Sequence, residues 1–277
     1  MTPFFHSNTL AHEIHLRKLL QMLLTIDIGN SQTVLGLHRH RELLCHYRIT
    51  SDRHATTDEL ALVLQALLGL DNHSLSAITA MVVGSVVPSL KEAWRGVGLS
   101  RLSCTPLIIG DAHVDTGVTI LTDNPGEVGA DRIINALAGF HRYQQALIIA
   151  DFGTAITFDC VSERGEYLGG AIAPGLGISL DALIARTAKL PKVDISTPPE
   201  SALATSTSEA IKSGILFGYG GLVEGITARL CQEFSTPPLI IATGGMAALV
   251  APLAPSIKHV DPELTLEGLR LIYERNR

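Results

Sequence analysis

The chain writes one strand-and-turn phrase twice. LLTIDIGNSQTVLGL at Leu23 to Leu37 is echoed by LIIADFGTAITFDCV at Leu147 to Val161. In each copy an apolar run reaches Asp, one further residue and Gly, and a Thr follows four residues after the Gly. Asp27, Gly29 and Thr33 thus match Asp151, Gly153 and Thr157 at an offset of 124 residues. The Gly lets the chain turn tightly with its amides exposed, a cradle for phosphate oxygens, and the Asp can hold a hydrated divalent cation beside them. A single Asp-x-Gly is a common strand-to-turn signal. Two copies in one chain point to a duplicated α/β domain with a nucleotide cleft between the copies.

With 277 residues, 46% hydrophobic and 17% charged, the chain has material for two cores. The net charge of −6, with no dense Lys/Arg block, argues against a nucleic-acid or anionic-membrane surface. Phosphate affinity then has to come from backbone amides, a metal and a few placed side chains. Cys45, Cys104, Cys160 and Cys231 lie far apart without a C-x-x-C pair, which signals neither a zinc knuckle nor a redox dithiol and suits a reducing cytoplasm. His12-Glu13-Ile14-His15 and His38-Arg39-His40 are not H-E-x-x-H motifs and read as surface residues. Residues 1–21 lack the unbroken apolar segment of a signal peptide, and no run of about 18 apolar residues occurs, so a cytoplasmic protein without membrane spans is expected. That leader reads as a flexible extension or a misplaced start.

After the first turn, Thr33 to Leu37 and Glu42 to Ile49 read as strands joined through His38 to Arg41. Thr56 to Glu59 is a capping box for a helix carrying Leu60, Leu64, Leu67 and Leu68. Ala80 to Val87 reads as a buried strand, Pro88 as the start of a helix through Trp94, and Pro106 to Ile109 as a short strand. The order β-β-β-α-β-α-β is that of a ribonuclease-H-like domain. The second half repeats the opening with strands at Ala146 to Ala150, Ile156 to Val161 and Tyr167 to Ala171, then a helix at Leu180 to Ala188. Ser206 to Glu209 offers a capping box for a long helical stretch to about Phe234, which Gly214, Gly218, Gly220 and Gly221 are expected to loosen or interrupt. A last strand, Leu239 to Ala242, ends in Thr243-Gly244-Gly245. The expected architecture is two α/β ribonuclease-H-like domains of one topology, at residues 22–142 and 143–277.

Six spaced segments carry a family resemblance: DIGNSQTV at Asp27, DNPGEVGADRIINA at Asp123, DFGTAITFD at Asp151, YLGGAIAPG at Tyr167, IATGGMA at Ile241 and HVDPELTLEGLRLIYERN at His259. Over Met22 to Asn276 the chain resembles type III pantothenate kinase, a member of the actin, hsp70 and sugar-kinase superfamily. The resemblance implies ATP-dependent phosphorylation of pantothenate, the first step of coenzyme A synthesis, by a homodimer that needs Mg²⁺ and a monovalent cation such as K⁺ or NH₄⁺. No G-x-x-x-x-G-K-[ST] loop is present, and Gly175-Leu176-Gly177 lacks the third glycine of a dinucleotide fingerprint.

Phosphoryl transfer is mainly positioning and charge neutralisation, so the chain has to supply phosphate donors, a metal site and an acceptor for the alcohol proton. Asp27 is the candidate for hydrated Mg²⁺. Around the phosphates the resemblance sets Ile28, Gly29, Asn30, Ser31, Gln32, Thr33 and Val34, with Ser31 where Thr is commoner. It also makes Asp131 the base, although its place at the start of a helix with Ile133, Ala136, Leu137 and Phe140 on one face equally suits an N-cap. Arg132 can fork onto a carboxylate such as that of pantothenate, or pair with a neighbouring helix. By resemblance Gly129, Ala130, Asp131 and Arg132 face pantothenate, Asp151 holds the monovalent cation, Thr154 contacts ATP, and Gly244 and Gly245 let backbone approach adenosine. For Asp151 the plain alternative is a turn carboxylate bonded to its own loop. Thr207 matches a substrate contact given by the partner subunit. Thr122 stands where the family often has a substrate-side Tyr, Thr205-Ser206 replace a frequent Lys-Asn, and Lys212 replaces a usual Gln. Two other readings compete: a non-catalytic regulator of the same fold, which would release no ADP with any alcohol, and a kinase for another small alcohol.

Overall fold

The computed structural model describes residues 22–187 and 190–277. The leader lies outside them, as does the end of the helix expected at 180–188. The chain forms two compact units, one ending at Asp115 and including Ile272–Arg277, the other Thr116–Leu271.

The first unit opens with β1 (Met22–Ile28), β2 (Gln32–Arg39) and β3 (Glu42–Thr50), followed by helix α1 (Thr57–Leu70), β4 (Ile78–Ser85), α2 (Pro88–Arg101) and β5 (Leu107–Ile108). Its sheet has the order β3-β2-β1-β4-β5, antiparallel among the first three strands and parallel from β1 through β5. β1 is apolar almost throughout, and one face of it, Leu24, Ile26 and Ile28, packs with Leu35, Leu37, Leu64 and Trp94 in the core. The capping box forms reciprocally: Thr56 accepts from the Glu59 amide at 3.3 Å, and the Glu59 carboxylate accepts from the Thr56 amide at 2.8 Å. His38 is not a surface residue. It is buried on β2, with Nε2 3.1 Å from the Thr25 hydroxyl, because the strand is covered on both faces there, Leu35, Gly36, Leu37 and His38 being buried in succession.

The second unit carries helix α3 (Ala130–Tyr143), then β6 (Leu147–Phe152), β7 (Ala155–Val161), β8 (Tyr167–Pro174), α4 (Leu176–Ala185), α5 (Thr207–Leu230), β9 (Leu239–Thr243), α6 (Ala247–Val250), β10 (His259–Val260) and the larger part of α7 (Leu264–Arg275). The sheet order β10-β9-β6-β7-β8 is that of the first sheet read with β6 in the place of β1. Side chains on one sheet face, Ile148, Ala150, Phe158 and Cys160, pack with α5 residues Leu216, Tyr219 and Val223. The opposite face, Leu147, Ile149 and Val161, packs with Ala136 and Ala138 of α3. The sequence reading put α3 in the first domain, ending at 142; its apolar face lies instead against the second sheet.

Two helices depart from expectation. α5 runs unbroken for 24 residues despite its glycines. Gly214, Gly218 and Gly221 have open space around them and cost roughly 1 kcal/mol each against Ala. Burying Leu216, Tyr219 and Val223 along one face returns about 1.5–3 kcal/mol per large side chain and outweighs that cost. Gly220 is there for space, since a Cβ would stand 2.5 Å from the Leu253 carbonyl oxygen. At the N-cap only half the box forms, Ser206 accepting from the Glu209 amide. α4 begins one turn earlier than expected because Gly175, its N-cap, tucks under the second turn; a Cβ there would meet the Thr154 carbonyl oxygen at 2.3 Å. Among the described residues no helix is long and apolar enough to cross a membrane.

Candidate active site

The first turn closes with the Gly29 amide donating to the Gln32 carbonyl at 3.0 Å. Asp27 sits one residue before the end of β1, opposite Val34 on β2 and Gly84 on β4, and is half-buried. Asn30, Ser31 and Gln32 are exposed at the tip. The tip is braced from outside: Arg53 donates to the Asn30 amide oxygen at 3.0 Å and Arg48 to that of Gln32 at 2.9 Å. Thr33 is buried and shares a 2.8 Å hydrogen bond with the Ser51 hydroxyl. A carboxylate beside exposed amides and hydroxyls is a donor set that suits a hydrated divalent cation with phosphates.

The second turn is set in a cluster of carboxylates. Asp151, near the end of β6, lies opposite Thr157 on β7 and Thr243 on β9. Its Oδ2 accepts from the Asn135 side-chain amide of α3 at 2.9 Å, and Asn135 Oδ1 accepts from the Thr265 hydroxyl of α7 at 2.8 Å. The bond runs to α3, not to its own loop. Burial pushes the Asp151 carboxyl up to about 7, helped by the charges of Asp131 and Asp159 and opposed by the Asn135 amide. Gly244 adopts a φ of +90°, and a Cβ there would stand 2.5 Å from Asp151 Oδ1. Both the left-handed backbone and the space demand glycine. Among the described residues no three His, Cys, Asp or Glu side chains gather as a metal-binding group. The Asp151 carboxyl, with further negative charge from Asp131 and Asp159 around it, is a setting that attracts a cation.

Asp131 is not the cap of α3. Gly129 is, and Asp131 lies in the first turn with Oδ1 accepting the Arg132 amide at 2.9 Å. Burial holds its carboxyl above the ordinary range, with the Arg132 amide pulling the other way. Arg132 pairs with a strand rather than a helix: its Nε donates to Asp159 Oδ1 of β7 at 2.6 Å, and its guanidinium lies 5.5 Å from the centre of the Tyr167 ring. Asp131, Arg132, Asp151 and Asp159 are thus one electrostatic neighbourhood, assembled by α3 lying across β6 and β7. A carboxylate that is half-buried and reluctant to stay ionised is equipped to take a proton, and a guanidinium beside it to hold an anion.

The family model described as type III pantothenate kinase matches residues 23–229. The chain belongs to the type III pantothenate kinase family. It is 48% identical to the type III pantothenate kinase of Moorella thermoacetica over 255 residues, 92% of this chain and 100% of that one. With the type III pantothenate kinase of Desulfatibacillum aliphaticivorans it is 46% identical over 254 residues, covering 92% and 98%. Among solved structures the fold is similar to a ROK family glucokinase from Streptomyces griseus, with a TM-score of 0.55 at 12% identity, covering 91% of this chain and 98% of that one. It is also similar to the activator of the 2-hydroxyisocaproyl-CoA dehydratase from Clostridium difficile, with a TM-score of 0.51 at 14% identity, covering 92% and 96%. The fold is therefore that of the actin-like ATPases and sugar kinases.

Other positions to which the type III pantothenate kinase resemblance gives a role fall as follows. Thr154 is half-buried in the second turn, and Gly245 is exposed in the turn before α6. Thr207 is exposed at the first position of α5 and takes no part in the Asp131–Arg132–Asp159 network. Thr122 follows a segment that pairs with the start of β8, where the Tyr167 amide donates to the Thr119 carbonyl and the Leu121 amide to the Tyr167 carbonyl, each at 2.8 Å. The Thr122 hydroxyl is buried without a hydrogen-bond partner among the described residues. Sequence reasoning passed over Asp159, Asn135 and Tyr167. The signal for Asp159 was present, a charged residue between Phe158 and Cys160 in an apolar strand, and so was that for Asn135, an amide among the apolar residues of α3.

Proposed function

We propose that the protein phosphorylates pantothenate with ATP, the first step of coenzyme A biosynthesis, with Asp131 as the base and Arg132 as the anchor for the pantothenate carboxylate. Asp131 accepts the proton of the primary hydroxyl as its oxygen bonds to the γ-phosphorus and the bond from that phosphorus to the departing ADP oxygen breaks. The single observation that carries the reading is the Asp131–Arg132 pair, a carboxylate whose burial raises its proton affinity next to a guanidinium already oriented by Asp159. Gly129 and Ala130, immediately before the pair, line the same substrate. Ile28 to Val34, Thr154, Gly244 and Gly245 contact ATP, and Thr207 and Thr122 contact pantothenate, Thr207 from the partner of a homodimer.

Asp27 would hold Mg²⁺ through water, and Asp151 would hold K⁺ or NH₄⁺. When bound, these cations supply charge neutralisation of the phosphates. Asn135 fixes the Asp151 carboxylate, and Arg48 and Arg53 fix the tip of the first turn. The cysteines, none of them disulfide-bonded, accord with a cytoplasmic setting. The test is ADP release from ATP and Mg²⁺ with pantothenate, in K⁺ and separately in Na⁺. Turnover that requires pantothenate and K⁺ supports the reading. ADP release with another alcohol but not pantothenate, or none with any alcohol, overturns it.

A further inference from the structure

We propose that Asp159 is a positioning residue that fixes the orientation of the Arg132 guanidinium and thereby sets the preference of the site for a carboxylate-bearing substrate. The proposal rests on the pantothenate kinase reading and extends it to a residue that does not touch the substrate.

Asp159 is fully buried in the middle of β7, on the sheet face that otherwise carries Val161, Leu147 and Ile149 against α3. An aliphatic side chain would satisfy that packing, and a carboxylate there has to be compensated. Three donors do so. Arg132 Nε reaches Oδ1 at 2.6 Å, the Tyr167 hydroxyl reaches Oδ1 at 2.9 Å, and the Thr157 hydroxyl reaches Oδ2 at 2.7 Å. Thr157 and Asp159 are two residues apart on one strand and so share a face, while Tyr167 opens the neighbouring strand β8. The carboxylate is therefore held by two neighbours that do not depend on Arg132, and its own position is fixed before the guanidinium meets it.

What it does to Arg132 follows from which nitrogen it takes. Asp159 engages Nε, and the Tyr167 ring lies 5.5 Å from the guanidinium carbon. Nη1 and Nη2 form no hydrogen bond with another described residue, and the side chain keeps 16% exposure. A planar guanidinium with one edge nitrogen pinned has its terminal nitrogens aimed in one direction, which is the geometry a forked carboxylate contact requires. A pair kept only for stability gains little, since buried ion pairs often lose to apolar replacements of similar size. Here the buried charge orients a donor pair that the described residues leave unused.

The experiment compares KM for pantothenate with KM for an uncharged analogue that carries a primary alcohol in place of the carboxylate, in wild type, Asp159→Asn and Tyr167→Phe. Asp159→Asn is expected to raise KM for pantothenate about tenfold or more while leaving that for the neutral analogue nearly unchanged, so that the preference collapses. KM for ATP stays within about twofold in both variants, because only uniform binding of one substrate group has been altered. Tyr167→Phe keeps the charge and removes one donor, so it shifts the preference in the same direction by about threefold and covers the case in which Asp159→Asn does not fold. An unchanged preference in Tyr167→Phe and in any folded Asp159→Asn, or an equal rise in KM for both substrates, overturns the proposal. Wild-type turnover of pantothenate tests the kinase reading separately, since it does not depend on the ratio in the variants.

Discussion

The two Asp-x-Gly turns carry Asp, Gly and Thr at the same spacing, yet their hairpins differ by one residue. In the first, Ile28 pairs with Thr33 across the four-residue turn that the Gly29–Gln32 bond closes. In the second, Phe152 pairs with Ile156, and the Gly153 amide closes on Ala155 at 3.0 Å. Strand side chains alternate between faces, so one residue fewer moves every side chain of the returning strand to the other face. Thr33 stands opposite Ile28 and shares its face with Leu35 in the core, away from Asp27. Thr157 stands opposite Asp151 and shares its face with Asp159. Leu35 and Asp159 occupy the same place in the repeated phrase and end on opposite sides of their sheets. The difference accounts for the two settings: the first copy places Asp27 beside an exposed tip, and the second brings Asp159 onto the face covered by α3.

The largest effect is expected at Asp131, the proposed base. Asp131→Asn is expected to lower kcat by about 10²–10⁴, the range typical of losing a general base; single-turnover phosphoryl transfer by rapid quench measures it, and a loss under tenfold would separate Asp131 from the chemistry. The surplus charge of the second copy gives the next effect. The Asp151 carboxyl at about 7 lies above its ordinary value, so between about pH 4 and 7 the folded chain keeps a proton that the unfolded chain has shed. Stability from this group is full below that window and is lost as pH rises through it. In cation-free buffer Tm is expected to drop by several degrees from pH 6 to 8, and Asp151→Asn removes most of the drop. An identical drop in the variant would assign the effect elsewhere.

Gly175→Ala tests the close seating of α4 under the second turn, where the added carbon meets the Thr154 carbonyl at 2.3 Å. The expected cost is about 1–3 kcal/mol in urea unfolding, as for overpacking elsewhere. Gly153→Ala, with 3.4 Å of room from the Ala155 carbonyl, should cost less. The finest comparison uses the matched threonines. Thr157→Val breaks a bond to the Asp159 carboxylate and is expected to cost about 2 kcal/mol, against about 1 kcal/mol for Thr33→Val, which loses a hydroxyl partner. Equal costs would mean that the flip of face has no energetic consequence.

Most strands were legible because their signals are local. Apolar runs ending in Asp-x-Gly, the turn residues after them and the Thr56–Glu59 box need no distant partner. The flip of face was not legible, because Gly29-Asn30-Ser31-Gln32 and Gly153-Thr154-Ala155 differ in length only once the pairing is known. The continuity of α5 through its glycines, and the start of α4 at Gly175, depend on what packs against them. Asp131, Arg132 and Asp151 stood out in the sequence through their motifs, whereas Asp159 acquires its role only through Arg132, which lies 27 residues away in the chain.

Asp27 of the first turn is assigned to nucleotide binding and Asp131 of α3 to proton transfer, and the two roles are separable. Calorimetric titration of ATP with Mg²⁺ into Asp131→Asn, beside Asp27→Asn, tests it most directly. The expected result is near wild-type affinity in Asp131→Asn despite its slowed turnover, and a loss of at least about tenfold in Asp27→Asn. Loss of ATP affinity in Asp131→Asn, or wild-type affinity in Asp27→Asn, would contradict it.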